Sequence, residues 1–210
     1  MTETAFRWSG LLLMVGASLQ GVATVILAMQ PVMNQSLSPG ISLLFLLAGI
    51  FLLLSLPAVY ARQANRAGWL GLVGHGLLET GILLWIVLAA PSLAYPSLNL
   101  VPGENALFFF LGIALTSGFL LTGIATIRAA VFPRRVGILL LAATFGFFFS
   151  FFVAEFLPAA VGQISSATFA LLLALALAEF GLALWTTREQ GPTGGKESHQ
   201  GIRNLVKWGS

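Results

Sequence analysis

The sequence has no cysteine and no aspartate: all seven acidic residues are glutamate. Disulfides, thiolate metal sites and cysteine nucleophiles are therefore excluded. Charge of either sign is scarce, at 8% of residues, where a soluble domain carries about 25%. There are two histidines, and only His75 lies in an apolar run, so a bis-histidine haem within the membrane is excluded. No His-Glu-x-x-His occurs, and Gly16-Ala17-Ser18-Leu19-Gln20-Gly21 does not fit the Gly-x-Ser-x-Gly nucleophile elbow. No proline interrupts the middle of an apolar run, so discontinuous helices of the kind that build transporter sites are not signalled.

What is present is apolar. Of 210 residues, 58% are hydrophobic, and the mean hydropathy is +0.95. A bilayer span takes about 20 mostly apolar residues, and six windows qualify: roughly 10–30, 41–60, 69–90, 107–128, 136–157 and 166–187. The first continues to about residue 30 without a small-x-small cleavage site and reads as a retained span. The basic residues are Arg7, Arg62, Arg66, Arg128, Arg134, Arg135, Arg188, Lys196, Arg203 and Lys207, and none lies in the connections 31–40, 91–106 or 158–165. With six spans, all of them fall on one side, and the positive-inside rule places both termini in the cytoplasm. They are too few and too scattered for nucleic acid. The Gly-rich tail after Glu189 reads as a flexible linker, with a short interfacial helix near Ile202, Leu205 and Val206 as an alternative to a frayed end.

Internal similarity adds a second level. Residues 76–85, GLLETGILLW, match 176–185, ALAEFGLALW, at Leu77/Leu177, Glu79/Glu179, Gly81/Gly181, Leu84/Leu184 and Trp85/Trp185. Residues 16–31 match 118–133 at Gly16/Gly118, Leu19/Leu121, Gly21/Gly123, Thr24/Thr126 and Pro31/Pro133, among others. Three spans per copy is an odd number, so a duplication puts the copies in opposite orientations. The expectation is an all-α polytopic membrane protein of six transmembrane helices arranged as a 3+3 inverted-topology repeat. The first repeat covers 1–105, the second 106–188, and a polar cytoplasmic tail 189–210.

An ionised carboxylate at the bilayer centre costs about 2.5–3.5 kcal/mol on insertion scales and usually faces the bundle interior. Glu79 lies near the middle of its window, and Glu179 about 4 Å from the middle of its own. His75 and Gly71 share a ridge with Glu79; Gly16, Gln20 and Thr24 form a second ridge, matched by Gly118, Thr122 and Thr126. The expected site is a midplane polar pocket in which Glu79 and Glu179 bind a proton or cation, lined by His75, Gln20 and Thr122. The expected function is a small transporter or channel for a proton, cation or small solute. The alternative is a scaffold or accessory subunit whose buried polar groups only specify helix packing. Expected partners are the lipid bilayer and an ion or small-molecule substrate, with a homo-oligomer open and nucleic acid not expected. No cofactor, metal or catalytic residue is expected.

A rhomboid-type protease needs Gly-x-Ser-Gly in its fourth span and a histidine in its sixth. Here the fourth window reads Leu115-Thr116-Ser117-Gly118 and the sixth has no histidine, so an enzyme is not expected. The stretch from Thr122 to Leu141, with its Pro133-Arg134 turn between two apolar runs, resembles small six-span bacterial inner-membrane proteins of unknown function. That resemblance implies an inner-membrane location and no particular activity.

Overall fold

The computed structural model describes residues 3–33, 39–94, 106–152 and 159–186. The tail helix expected near Ile202, Leu205 and Val206 lies outside them. The described chain is all helix: α1 (Glu3–Met33), α2 (Pro39–Ala94), α3 (Ala106–Ala129), α4 (Arg134–Phe152) and α5 (Ala159–Thr186). Long runs of Leu, Ala and Phe favour this outcome, because a helix satisfies its own backbone groups where no water can.

The structure corrects the expectation of six transmembrane helices. Among the described residues there are five helices, and four stretches are long and apolar enough to cross a membrane: Glu3–Leu27, Gly40–Leu88, Ala106–Ala129 and Ala167–Thr186. The reason lies in residues 61–68, read as a connection. Ala61, Arg62, Gln63, Ala64 and Ala67 are helix formers, so the second and third windows fall on one element, α2. Only Gly68 breaks it, at φ 60° and ψ −156°, a region essentially restricted to glycine. The two arms, 39–67 and 69–94, fold back against each other. The Phe45 and Trp85 rings meet edge to face at 5.6 Å, and Tyr60 and His75 stand 5.3 Å apart. The fifth window, 136–157, is described as far as Phe152, in α4, which opens on Arg134 and Arg135.

The 3+3 inverted arrangement is corrected with it. Across the expected boundary at residue 105, α1 packs on α5 and α2 on α3. One core runs through the bundle, with Leu13, Leu56, Val59, Leu78, Leu111, Leu140, Phe180 and Leu184 almost wholly buried. Apolar side chains such as Leu54, Leu72, Phe110 and Phe145 point outward, as lipid-facing side chains do.

Glycine sets how closely the helices approach. A Cβ on Gly10 would stand 2.6 Å from the Gly181 carbonyl oxygen, and one on Gly181 would meet the Gly10 carbonyl at 2.6 Å. α1 and α5 therefore cross backbone to backbone at this point. The arginines gather at that same end. Arg7 lies over the Trp185 ring at 5.3 Å, and Arg62 over Phe6 at 5.7 Å. The tight α3–α4 connection is also there, with Ala130 at φ 50° and Phe132 buried edge-on against Phe180 at 5.0 Å.

Candidate functional site

At half-height the helices diverge around a cavity of about 200 Å3 to which all five contribute. Gln20 and Thr24 come from α1, Phe45 and Trp85 from the two arms of α2, Phe119 from α3, Phe147 from α4 and Phe169 from α5. The Thr24 hydroxyl donates to the Gln20 carbonyl oxygen at 2.9 Å, a bond within the helix. The Gln20 side-chain amide and the Trp85 indole add polar groups to a largely apolar wall. Glycine shapes the surroundings: the Phe169 ring lies directly over Gly146, seating α5 on α4.

The expected polar pocket is not one site. Of its residues, only Gln20 lines this cavity. His75 and Thr122 lie elsewhere, in a buried polar cluster between α3 and the two arms of α2, close to the Gly68 break. There His75 Nδ1 donates to the Gly71 carbonyl oxygen at 3.0 Å, and Thr126 Oγ1 donates to Gln63 Oε1 at 3.3 Å. Thr122 packs against Gly74, where a Cβ would stand 3.0 Å from its Oγ1. Gln63 Nε2, His75 Nε2 and Thr122 Oγ1 are buried without a hydrogen-bond partner among the described residues.

The two glutamates part company. Glu179 Oε2 lies 3.0 Å from Nε of Arg135 at the start of α4. The separation is that of an ion pair, although the N–H is not aligned on the oxygen as a hydrogen bond requires. Glu79 sits on the border between the buried face of α2 (His75, Leu78, Ile82) and its exposed face (Gly76, Thr80, Leu83). Neither carboxylate lines the cavity.

Set against known protein families, curated proteins and solved structures, the chain matches none. What it can do must therefore be read from the site. A wall of aromatic and aliphatic groups takes up apolar matter, and the Gln20 amide supplies an NH2 donor and a carbonyl acceptor to orient it.

Gln63 and Arg135 are not among the expected site residues. Gln63 has a signal: it continues the buried face of Leu52, Leu56 and Val59 by one more turn. Arg135 has none, since its partner is 44 residues away in the chain.

Proposed function

We propose that this multi-pass membrane protein binds, and carries or presents, a lipophilic small molecule held in the half-height cavity. The observation that carries this reading is the cavity itself, to which all five helices contribute, with a largely apolar wall that includes the Gln20 amide. Its size sets the scale. An apolar cavity of about 150 Å3 stays dry and binds benzene, so about 200 Å3 suits a ring or short isoprenoid or acyl segment. A hydroxyl or carbonyl on that body would bond the Gln20 amide. Proton or cation movement on paired glutamates has less support, because Glu179 is engaged by Arg135 and neither carboxylate reaches the cavity.

Fluorine NMR of the protein in lipid nanodiscs tests the reading. Fluorobenzene should give a bound resonance distinct from the bilayer pool, and Ala143→Phe, which fills the cavity, should abolish it. 4-Fluorophenol should bind about 2–10-fold better than fluorobenzene once bilayer partition is corrected, as one net hydrogen bond allows. Gln20→Leu should remove that preference. No bound resonance, or one that survives Ala143→Phe, refutes the cavity reading and favours a scaffold.

We further propose that the arginine end faces the cytoplasm of a bacterial inner membrane, on the positive-inside rule. Because the chain lacks cysteine, Ala130→Cys in the exposed α3–α4 connection gives a single reporter. It should react with an impermeant maleimide only from the cytoplasmic side.

A further inference from the structure

The cavity has a neighbour. On the outer side of α1 and α5, a groove of about 460 Å3 is lined by Ser18, Val22 and Val25 on one helix and Leu171, Leu175 and Ala178 on the other. Val22, Val25, Leu171 and Leu175 are exposed side chains on membrane-length helices, so acyl chains are what meets them. The inner hollow uses the adjacent faces of the same two helices, Gln20 and Thr24 on α1 and Ala170 and Leu173 on α5. Only the α1–α5 seam separates the two.

That seam differs from the others around the cavity. Between α1 and α2, Leu52 seats against Gly16; between α2 and α3, Leu115 against Gly81. Between α3 and α4, Leu141 seats against Gly123; between α4 and α5, Phe169 lies over Gly146. Each is a side chain lodged in a glycine notch, which must be withdrawn before the helices can part. At the α1–α5 seam Gly21 faces the Ala174 methyl group, 3.4 Å from where a Cβ would stand, with Leu171 Cδ2 beyond it at 3.8 Å. Among the described residues nothing interlocks at this height. Parting the seam loses only the dispersion of small groups. In a bilayer, lipid tails cover the exposed apolar faces without a hydrophobic penalty.

We propose that the lipophilic ligand enters the central cavity sideways from the bilayer, between α1 and α5 at the Gly21–Ala174 seam. The fixed crossing at Gly10 and Gly181 holds the two helices together below it. The proposal rests on the cavity reading and adds the route and the source: the ligand is a molecule already dissolved in the membrane.

The absence of native cysteine makes the test direct. In Gly21→Cys/Ala174→Cys the two Cβ atoms would stand about 3.4 Å apart, next to the roughly 3.5–4.5 Å of a disulfide. Exchange of fluorobenzene between bilayer and cavity is read by fluorine saturation transfer in nanodiscs, on one sample before and after reduction. The oxidised seam should retain the bound resonance and slow exchange by at least about tenfold, and reduction should restore it. A bound resonance whose exchange ignores the cross-link overturns the lateral route and leaves the cavity reading standing. Absence of a bound resonance in the native protein overturns both. Should the cysteine pair fail to fold, Gly21→Ala fits the same contact and must also slow exchange; unchanged or faster exchange in that variant counts against the route.

Discussion

Four glycines in the helices make a sharp comparison, because the same substitution meets four different surroundings. At Gly10 an added methyl group meets the Gly181 carbonyl oxygen at 2.6 Å and the Trp185 nitrogen at 2.9 Å. At Gly181 it meets the Gly10 carbonyl and Met14 Cγ, both at 2.6 Å. Unstrained carbon–oxygen contacts begin at about 3.3 Å, so α1 and α5 must separate by roughly 0.7 Å. Backbone cannot rotate away as a side chain can, so each Gly→Ala should cost about 1–3 kcal/mol, the range for overpacking. Once one methyl has parted the helices, the second meets a gap already opened. Gly10→Ala/Gly181→Ala should therefore cost less than the sum of the singles by at least about 0.5 kcal/mol. At Gly21 the methyl finds ordinary contact at 3.4 Å, and stability should stay within about 0.5 kcal/mol of the parent. At Gly76 nothing lies within 4 Å, and Gly→Ala should stabilise by about 0.5–1 kcal/mol through helix propensity. Reversible unfolding in mixed detergent, followed by tryptophan fluorescence, ranks all five variants. Equal losses at Gly10 and Gly76 would refute the backbone crossing.

Gly68→Ala should cost about 1–3 kcal/mol in the same assay, and Gly68→Asn should not rescue it, since the φ/ψ there is closed to asparagine as well. Thr126→Val leaves Gln63 Oε1 buried and unpaired, and should cost about 1–3 kcal/mol, whereas Thr126→Val/Gln63→Leu should recover most of that loss. Arg135→Gln should change stability by no more than about 1 kcal/mol, because the Arg135 side chain is 67% exposed; a larger loss would mean that the pair with Glu179 is shielded from solvent.

Composition and apolar length made the membrane class legible, and the matched GLLETGILLW and ALAEFGLALW made two carboxylates conspicuous. Sequence likeness does not fix surroundings, however. Glu179 owes its setting to Arg135 on another helix, and Glu79 to its position on a face border of α2. Along each helix the spacing of four joins neighbours: His75 bonds Gly71 one turn before it, and Thr24 bonds Gln20. What the sequence could not show is that these pairs face different interiors, since that depends on how α2 folds back at Gly68. The same fold buries Gln63. Polar composition made 61–68 look like a loop, although its alanines, arginines and glutamine all favour helix and tertiary packing completed it.

The crossing of α1 and α5 near one end also makes α1 a lever. Gly21 lies eleven residues above Gly10, about 16 Å along the axis at 1.5 Å per residue. A rotation of about 10° around the crossing would open roughly 3 Å at Gly21, and about twice that where α1 ends at Met33. Small angular motions at the arginine-bearing end are thus magnified towards the opposite end, and the two faces of the membrane would feel one movement at different amplitude.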